Sequence, residues 1–331
     1  MADQQVLRIG TRGSPLALTQ TRMVRERLIA AHPRLAEPGA TEIVVIKTTG
    51  DRVQDVVLSA IGGKGLFTKE LDEALLDGRI DLAIHSMKDV PTFLPDGMVL
   101  TTLLPREDVR DAFLSNRYKS FAELPDKAVV GTASTRRRAQ ILARRPDLIV
   151  EPLRGNVETR IAKLAEGGMA ATFLAYAGLK RLGKADAARE VMAVETILPA
   201  VGQGALAATF RADDTRVRAL LLPLVDPETE AAVWAERAML AILDGSCQTP
   251  IAAYGSLDRA KTLTLKGMIA HPSGIQIVEA EASGPPAEAD QLGVRVANEL
   301  LFKAGPALLR AIKGEQPKIY RVPTDDPSGQ A

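Results

Sequence analysis

Cysteine is nearly absent: Cys247 is the only one among 331 residues. A single thiol excludes an intramolecular disulfide and leaves packing, nucleophilic catalysis or covalent attachment as its uses. There are three histidines and no paired-cysteine or HExxH pattern, so no metal site is expected. Aromatic residues make up 4% of the chain and the formal net charge is +1, which argues against nucleic-acid binding through basic surfaces and stacking platforms. No stretch is apolar over the length of a membrane span, and the first residues lack a basic region followed by an apolar one. A soluble cytosolic protein with no membrane partner is expected.

Nucleotide motifs are lacking too. Gly62-Gly63-Lys64-Gly65 has no glycine at the earlier required position and no hydroxyl residue after the lysine, so it fails as a phosphate loop. Gly202-Gln203-Gly204-Ala205 loosely fits a dinucleotide fingerprint, but Leu206 to Phe210 continues as a strand-like apolar run instead of opening a helix.

What is present is ample core material, 46% hydrophobic residues, in a chain long enough for two or three domains. The spacing predicts strands over 6–10, 42–47 and 80–84, with helices from Pro15 and over 66–76. The alternation restarts after Pro105, with strands over 128–131 and 171–176 and helices over 135–144 and 157–166. Strands alternating with helices imply doubly wound, largely parallel sheets. Beyond Pro223, a helix over 228–243, hairpin strands over 262–269 and 274–282 and a helix over 288–303 imply a smaller α+β domain. The last residues, 325–331, read as a polar tail.

Arginine collects where strands end and helices begin, the places where α/β sheets bind anions. Thr132-Ala133-Ser134-Thr135-Arg136-Arg137-Arg138 sets three guanidiniums at a helix start, where cations oppose the helix dipole, so helix stability does not explain them. Leu153-Arg154-Gly155-Asn156 with Arg160, and Arg12-Gly13-Ser14, repeat the theme. A solvated charge run is the plain alternative; the sharper reading is bidentate recognition of a ligand with several carboxylates or phosphates. At a further strand end, His85-Ser86-Met87-Lys88-Asp89-Val90-Pro91, Asp89 is either a structural turn residue or a carboxylate held in a cleft to assist proton transfer and stabilise a cation.

Six blocks in order carry a resemblance: Thr11-Arg12-Gly13-Ser14-Pro15-Leu16-Ala17-Leu18, Gly62-Gly63-Lys64-Gly65-Leu66-Phe67, His85-Ser86-Met87-Lys88-Asp89-Val90-Pro91, Leu153-Arg154-Gly155-Asn156-Val157, Leu198-Pro199-Ala200-Val201-Gly202-Gln203-Gly204 and Cys247-Gln248-Thr249-Pro250. Together they resemble the porphobilinogen deaminase (hydroxymethylbilane synthase) family from about residue 6 into the C-terminal part. Ser246 stands where the family commonly has glycine, and Thr135 where it commonly has an apolar residue; the reactive side chains are in place.

The resemblance implies two periplasmic-binding-protein-like α/β domains facing across a cleft, residues 1–104 with 200–222 and residues 105–199, and a smaller α+β domain over 223–331. It also implies the head-to-tail joining of four porphobilinogen molecules with loss of ammonia, on a dipyrromethane primer attached to Cys247 by a thioether. Asp89 matches the catalytic carboxylate. Ser86, Lys88, Thr132, Ser134, Arg136 and Arg137 correspond to primer-binding positions. Arg12, Ser14, Arg154, Asn156, Arg160, Arg181 and Gln203 correspond to positions that hold substrate or the elongating chain, and a monomer is implied. Arg138 has no family role and reads as solvent-facing. A non-catalytic polycarboxylate-binding protein of the same two-lobed architecture is the alternative.

Overall fold

The computed structural model describes residues 6–49, 68–243 and 249–312. The segment 62–67, the Cys247 turn and the C-terminal tail, each read from the sequence above, lie outside the described residues.

β1 (Leu7–Thr11) runs into α1 (Pro15–Ala31), whose start is set by the Ser14 N-cap, with Ser14 Oγ accepting from Ala17 N, and by Pro15 in the first turn. β2 (Thr41–Val45), α2 (Lys69–Leu76), β3 (Leu82–Ser86) and β4 (Met98–Leu103) follow. A second alternating run comprises β5 (Asp111–Leu114), β6 (Val129–Gly131), α3 (Thr135–Arg144), β7 (Ile149–Glu151), α4 (Val157–Ala165), β8 (Ala171–Ala175), α5 (Tyr176–Arg181) and β9 (Glu190–Val191). Then come β10 (Leu206–Arg211), α6 (Thr215–Leu221), α7 (Pro227–Ile242), β11 (Ile251–Leu257), β12 (Leu263–Ala270), β13 (Ile277–Gly284) and α8 (Ala289–Ile312).

The first sheet has the order β2-β1-β3-β10-β4 and the second β7-β6-β8-β5-β9, so both are wound the same way. In the first, β10 alone runs against its neighbours; in the second, β5 does. The expectation of largely parallel, doubly wound sheets is met. Each reversed strand is where the chain crosses between the sheets, through 104–110 and 192–205. These connections touch backbone to backbone: Glu107 N donates to Gly204 O at 3.3 Å. Gly204 has φ +89, and a Cβ there would lie 2.3 Å from Glu107 O, so only glycine permits the approach.

Beyond Pro223 the sequence reading needs amendment. The hairpin is completed by β11 into a three-stranded antiparallel sheet, and β13 starts at Ile277, not 274, because His271 to Gln276 form the turn. The final helix runs on past Lys303 to a kink at Gly305-Pro306 before reaching Ile312. α7, α8 and one sheet face enclose Met239, Leu265, Leu292 and Leu300, all fully buried. The first lobe packs Leu7, Ile9 and Leu82 against Val24 and Leu28 of α1. The second stacks Phe113, Phe121 and Phe173 edge to face.

One buried carboxylate ties these parts together. Glu236 of α7, with no exposed surface, accepts from both terminal nitrogens of Arg106 (2.6 and 3.1 Å), from Gly202 N (2.6 Å) and from Gly255 N (2.8 Å). It thereby joins both crossing connections to β11. We predict that Glu236→Ala, which strands one guanidinium and two amides, lowers the unfolding free energy by about 3–5 kcal/mol in urea titrations. A wild-type midpoint would show that this hub contributes nothing.

Candidate active site

The strand ends gather most of the residues singled out from the sequence. After β1, Arg12 and Ser14 face a cavity; after β3, Ser86 and Asp89 face the same one, joined by Gln20 of α1 and His85. The position of Ser86 is fixed by Gln20, whose Nε2 donates to Ser86 Oγ at 2.9 Å. His85 donates or accepts through Nε2 with Thr209 Oγ1 at 3.0 Å. Burial, reinforced by Arg12, pushes the His85 imidazole down to about 4, so it stays neutral near pH 7 and supplies no charge. Among the described residues that line this cavity, Asp89 is the only carboxylate. It closes a short helical turn, Met87–Asp89, that continues from β3.

On the second lobe, Ser134 caps α3 by accepting from Arg137 N, and Thr132 Oγ1 accepts from Ser134 N at 3.1 Å. Arg136 and Arg137 then turn inward and are each 5% exposed. Their partner is Asp111 at the start of β5: Arg136 Nη2 reaches it at 2.8 Å, Arg137 Nη2 at 2.7 Å and Arg137 Nε at 3.1 Å. Arg136 Nη1 also donates to Leu198 O at 2.6 Å. Burial alone would raise the Asp111 carboxyl, but the two guanidiniums overcome it and hold it well below the usual range. The sequence reading aimed this pair at a ligand and did not foresee Asp111. An ion triad uses only part of ten guanidinium N–H groups, so the pair can serve both ends. Arg138, read as solvent-facing, is exposed, and its guanidinium donates to Val150 O.

Gln203 links the lobes. It has no exposed surface; its Nε2 donates to Asp111 Oδ1 (2.8 Å) and Val109 O (2.7 Å), while Oε1 accepts from Lys88 Nζ (3.4 Å). Both ends of the amide are thus engaged within the protein. Desolvation lowers the Lys88 ammonium to about 8; Asp89 and Asp111 oppose the shift, and Arg137 and Arg136 add to it.

α4 brings the remaining cations. Asn156, exposed, caps it by accepting from Thr159 N at 2.8 Å, and Gly155, with φ +116, turns the chain so that Arg160 Nε donates to Gly155 O. Desolvation, with Arg137 and Arg154 nearby and Asp89 opposing, lowers the Arg160 guanidinium to about 10. Arg154, Arg160, Arg137, Lys88 and Asp89 therefore share one electrostatic neighbourhood. Arg181 stands apart at the crossing connections: its Nη2 donates to Gly204 O at 2.7 Å, burial lowers it to about 10, and its buried Nε has no hydrogen-bond partner.

Among the described residues at these strand ends, cations outnumber carboxylates, and several are stripped of water, which prepares them for anionic groups that arrive with their own charge. Sequence reasoning missed Asp111, Gln20 and Glu236. The signal for Asp111 was an acidic residue opening the apolar run Ala112-Phe113-Leu114. Because the Lys88 cation is lost as pH rises through about 8, we expect dicarboxylate affinity, read by titration calorimetry, to weaken over that range and to persist in Lys88→Arg. Identical pH profiles would remove Lys88 from ligand binding.

Comparison with known proteins agrees with these elements. The family model for the porphobilinogen deaminase dipyromethane cofactor binding domain matches residues 7–219, and that for the porphobilinogen deaminase C-terminal domain matches residues 231–302. A chloroplastic porphobilinogen deaminase of Oryza sativa subsp. japonica is 51% identical over 94% of this chain and 88% of its own. A porphobilinogen deaminase of Paracoccus denitrificans is 52% identical over 91% and 95%. Among solved structures, a periplasmic substrate-binding protein of an ABC transporter from Coxiella burnetii aligns over 68% of this chain and 94% of its own, at 15% identity and a TM-score of 0.42. With both halves matched and half of the residues shared across nine-tenths of its length, the chain belongs to the porphobilinogen deaminase family.

Proposed function

We propose that this chain joins four porphobilinogen molecules head to tail, with loss of ammonia at each condensation, to give the linear tetrapyrrole hydroxymethylbilane of porphyrin synthesis. The observation that carries the reading is the cavity in which Asp89 stands with Arg12, Ser14 and Ser86, in a chain of this family.

The donor set fits a polycarboxylate cofactor: desolvation lowers the Lys88 ammonium to about 8, and the buried Arg136 and Arg137 carry more guanidinium N–H groups than Asp111 takes. In this reading Ser86, Lys88, Thr132, Ser134, Arg136 and Arg137 hold the dipyrromethane, and Cys247 anchors it through a thioether. When bound, it supplies the free pyrrole α-carbon from which the chain grows.

Arg12, Ser14, Arg154, Asn156 and Arg160 take the acetate and propionate of the incoming porphobilinogen, because planar guanidiniums and hydroxyls match carboxylate oxygens. Arg181 serves the elongating chain; Gln203, expected among the substrate positions, spends both ends of its amide on Lys88, Val109 and Asp111 and acts by holding Lys88 in place. Loss of ammonia takes the bonding electron pair with the nitrogen and leaves an electron-poor ring. Asp89 accepts from pyrrole N–H groups, offsets that positive charge and relays the ring proton released once the carbon–carbon bond has formed. Neutral His85 adds no competing charge.

The division we adopt is residues 1–104 with 200–222, residues 105–199, and residues 223–331, supported by sheet membership and by the Asp226 N-cap that opens α7. We further propose a cytoplasmic monomer without nucleic-acid or membrane partners. No helix among the described residues is long and apolar enough to cross a membrane, and the Paracoccus denitrificans relative is bacterial.

The purified protein should carry an added dipyrromethane mass under denaturing conditions, mapping to the Cys247 peptide. A chain that stays unmodified after incubation with porphobilinogen overturns the reading. Asp89→Asn, which keeps shape and removes charge, should retain that mass while kcat falls by about two to four orders of magnitude. Normal turnover in this variant would acquit Asp89.

A further inference from the structure

α7 reaches the Asp89 turn directly. Arg237, 7% exposed, donates from Nη2 to Pro91 O (2.8 Å) and Thr92 O (3.0 Å) and from Nη1 to Val90 O (3.5 Å), and Nη1 lies 4.0 Å from the Met87 sulfur. Trp234, on the preceding turn of the helix, lies against the guanidinium, its ring centroid 6.0 Å from Cζ.

The turn needs such a partner. Met87–Asp89 is only three residues long, and Val90 N donating to Met87 O is its closing bond. Short helical turns of this kind hold their shape poorly without outside contacts. Pro91 has no N–H to extend the ladder, so the carbonyls after Asp89 require donors from elsewhere. One planar guanidinium can meet three carbonyls at once, and a lysine ammonium cannot reproduce that fork. The neighbouring Glu236 grips Gly202, whose Cα packs so closely on Met87 that a Cβ would come within 2.5 Å of its Cγ. Two consecutive α7 residues thus hold the turn, one through its carbonyls and one through the loop beneath it.

We propose that Arg237 is a positioning residue for the condensation: it ties the backbone that carries Asp89 to α7, so the carboxylate keeps a fixed place in the cavity it shares with Arg12 and Ser86. This rests on the role given above to Asp89.

The test compares Arg237→Gln and Arg237→Lys with Asp226→Ala, which removes the α7 N-cap without touching the turn. For each variant, kcat and KM for porphobilinogen, the intact mass and the melting temperature are measured. Arg237→Gln should lower kcat by about tenfold to a hundredfold, with KM within about twofold and the dipyrromethane mass retained. Arg237→Lys should recover only part of that loss. Asp226→Ala should keep kcat near the wild-type value at a comparable fall in melting temperature. Wild-type kcat in Arg237→Gln, or an equal loss of kcat in Asp226→Ala, overturns the proposal. Should the glutamine variant not fold, Arg237→Lys decides alone, an unchanged kcat being the negative result. A wild-type protein that neither carries the added mass nor forms hydroxymethylbilane would overturn the functional reading itself, whatever the Arg237 variants do.

Discussion

Everything in the cleft depends on one buried carboxylate. Two adjacent guanidiniums at a helix N-terminus repel each other and oppose the helix dipole, and burying them would cost several kcal/mol apiece without a partner. Asp111 supplies that partner, with bonds of 2.7 to 3.1 Å to Arg136 and Arg137. Its remaining capacity goes to Gln203, which in turn receives Lys88. The order of strands explains why this works. β5 is the reversed strand of the second sheet, so Asp111, at its start, lies beside the carboxyl ends of its neighbours, where α3 begins. A charge from the crossing connection is thus delivered to the mouth of the cleft.

The same logic recurs away from the cleft. Glu236 gathers Arg106 and two backbone amides, and Asp81, wholly buried, faces Arg8, Arg211 and Arg216. Glu236 holds the crossing connections where backbone must approach its neighbours closely, as at Gly202. α7 gains from this a function beyond its core packing, since consecutive residues on it hold the crossing loop and the turn that follows β3.

Local features were legible in the sequence, and long-range pairings were not. The helix over Thr135–Arg144 was bounded correctly because a serine cap and an apolar stripe are written within ten residues. The arginine clusters at strand ends were readable because cations at a helix start have no local benefit. Their partners were hidden by distance along the chain: 26 residues separate Arg137 from Asp111, 66 separate Gln20 from Ser86 and 130 separate Arg106 from Glu236. β5, with four residues, is too short to show a period, and β11 shows little alternation because Ile251 to Ala253 are all buried. The site roles of Asp89 and Cys247 came from ordered resemblance; an isolated aspartate in a turn and a lone thiol carry several readings each.

The central claim is that the cleft holds a prearranged set of cations that recognise the carboxylates of each pyrrole unit. The most direct measurement is kcat/KM for porphobilinogen methylated at both carboxyl groups, compared with the free acid under the same conditions. The account predicts a loss of about two to four orders of magnitude, since hydrogen bonds to charged groups contribute about 1.5–3 kcal/mol each and at least two would be lost. Comparable consumption of the diester would contradict it and leave the arginine clusters with a purely structural role.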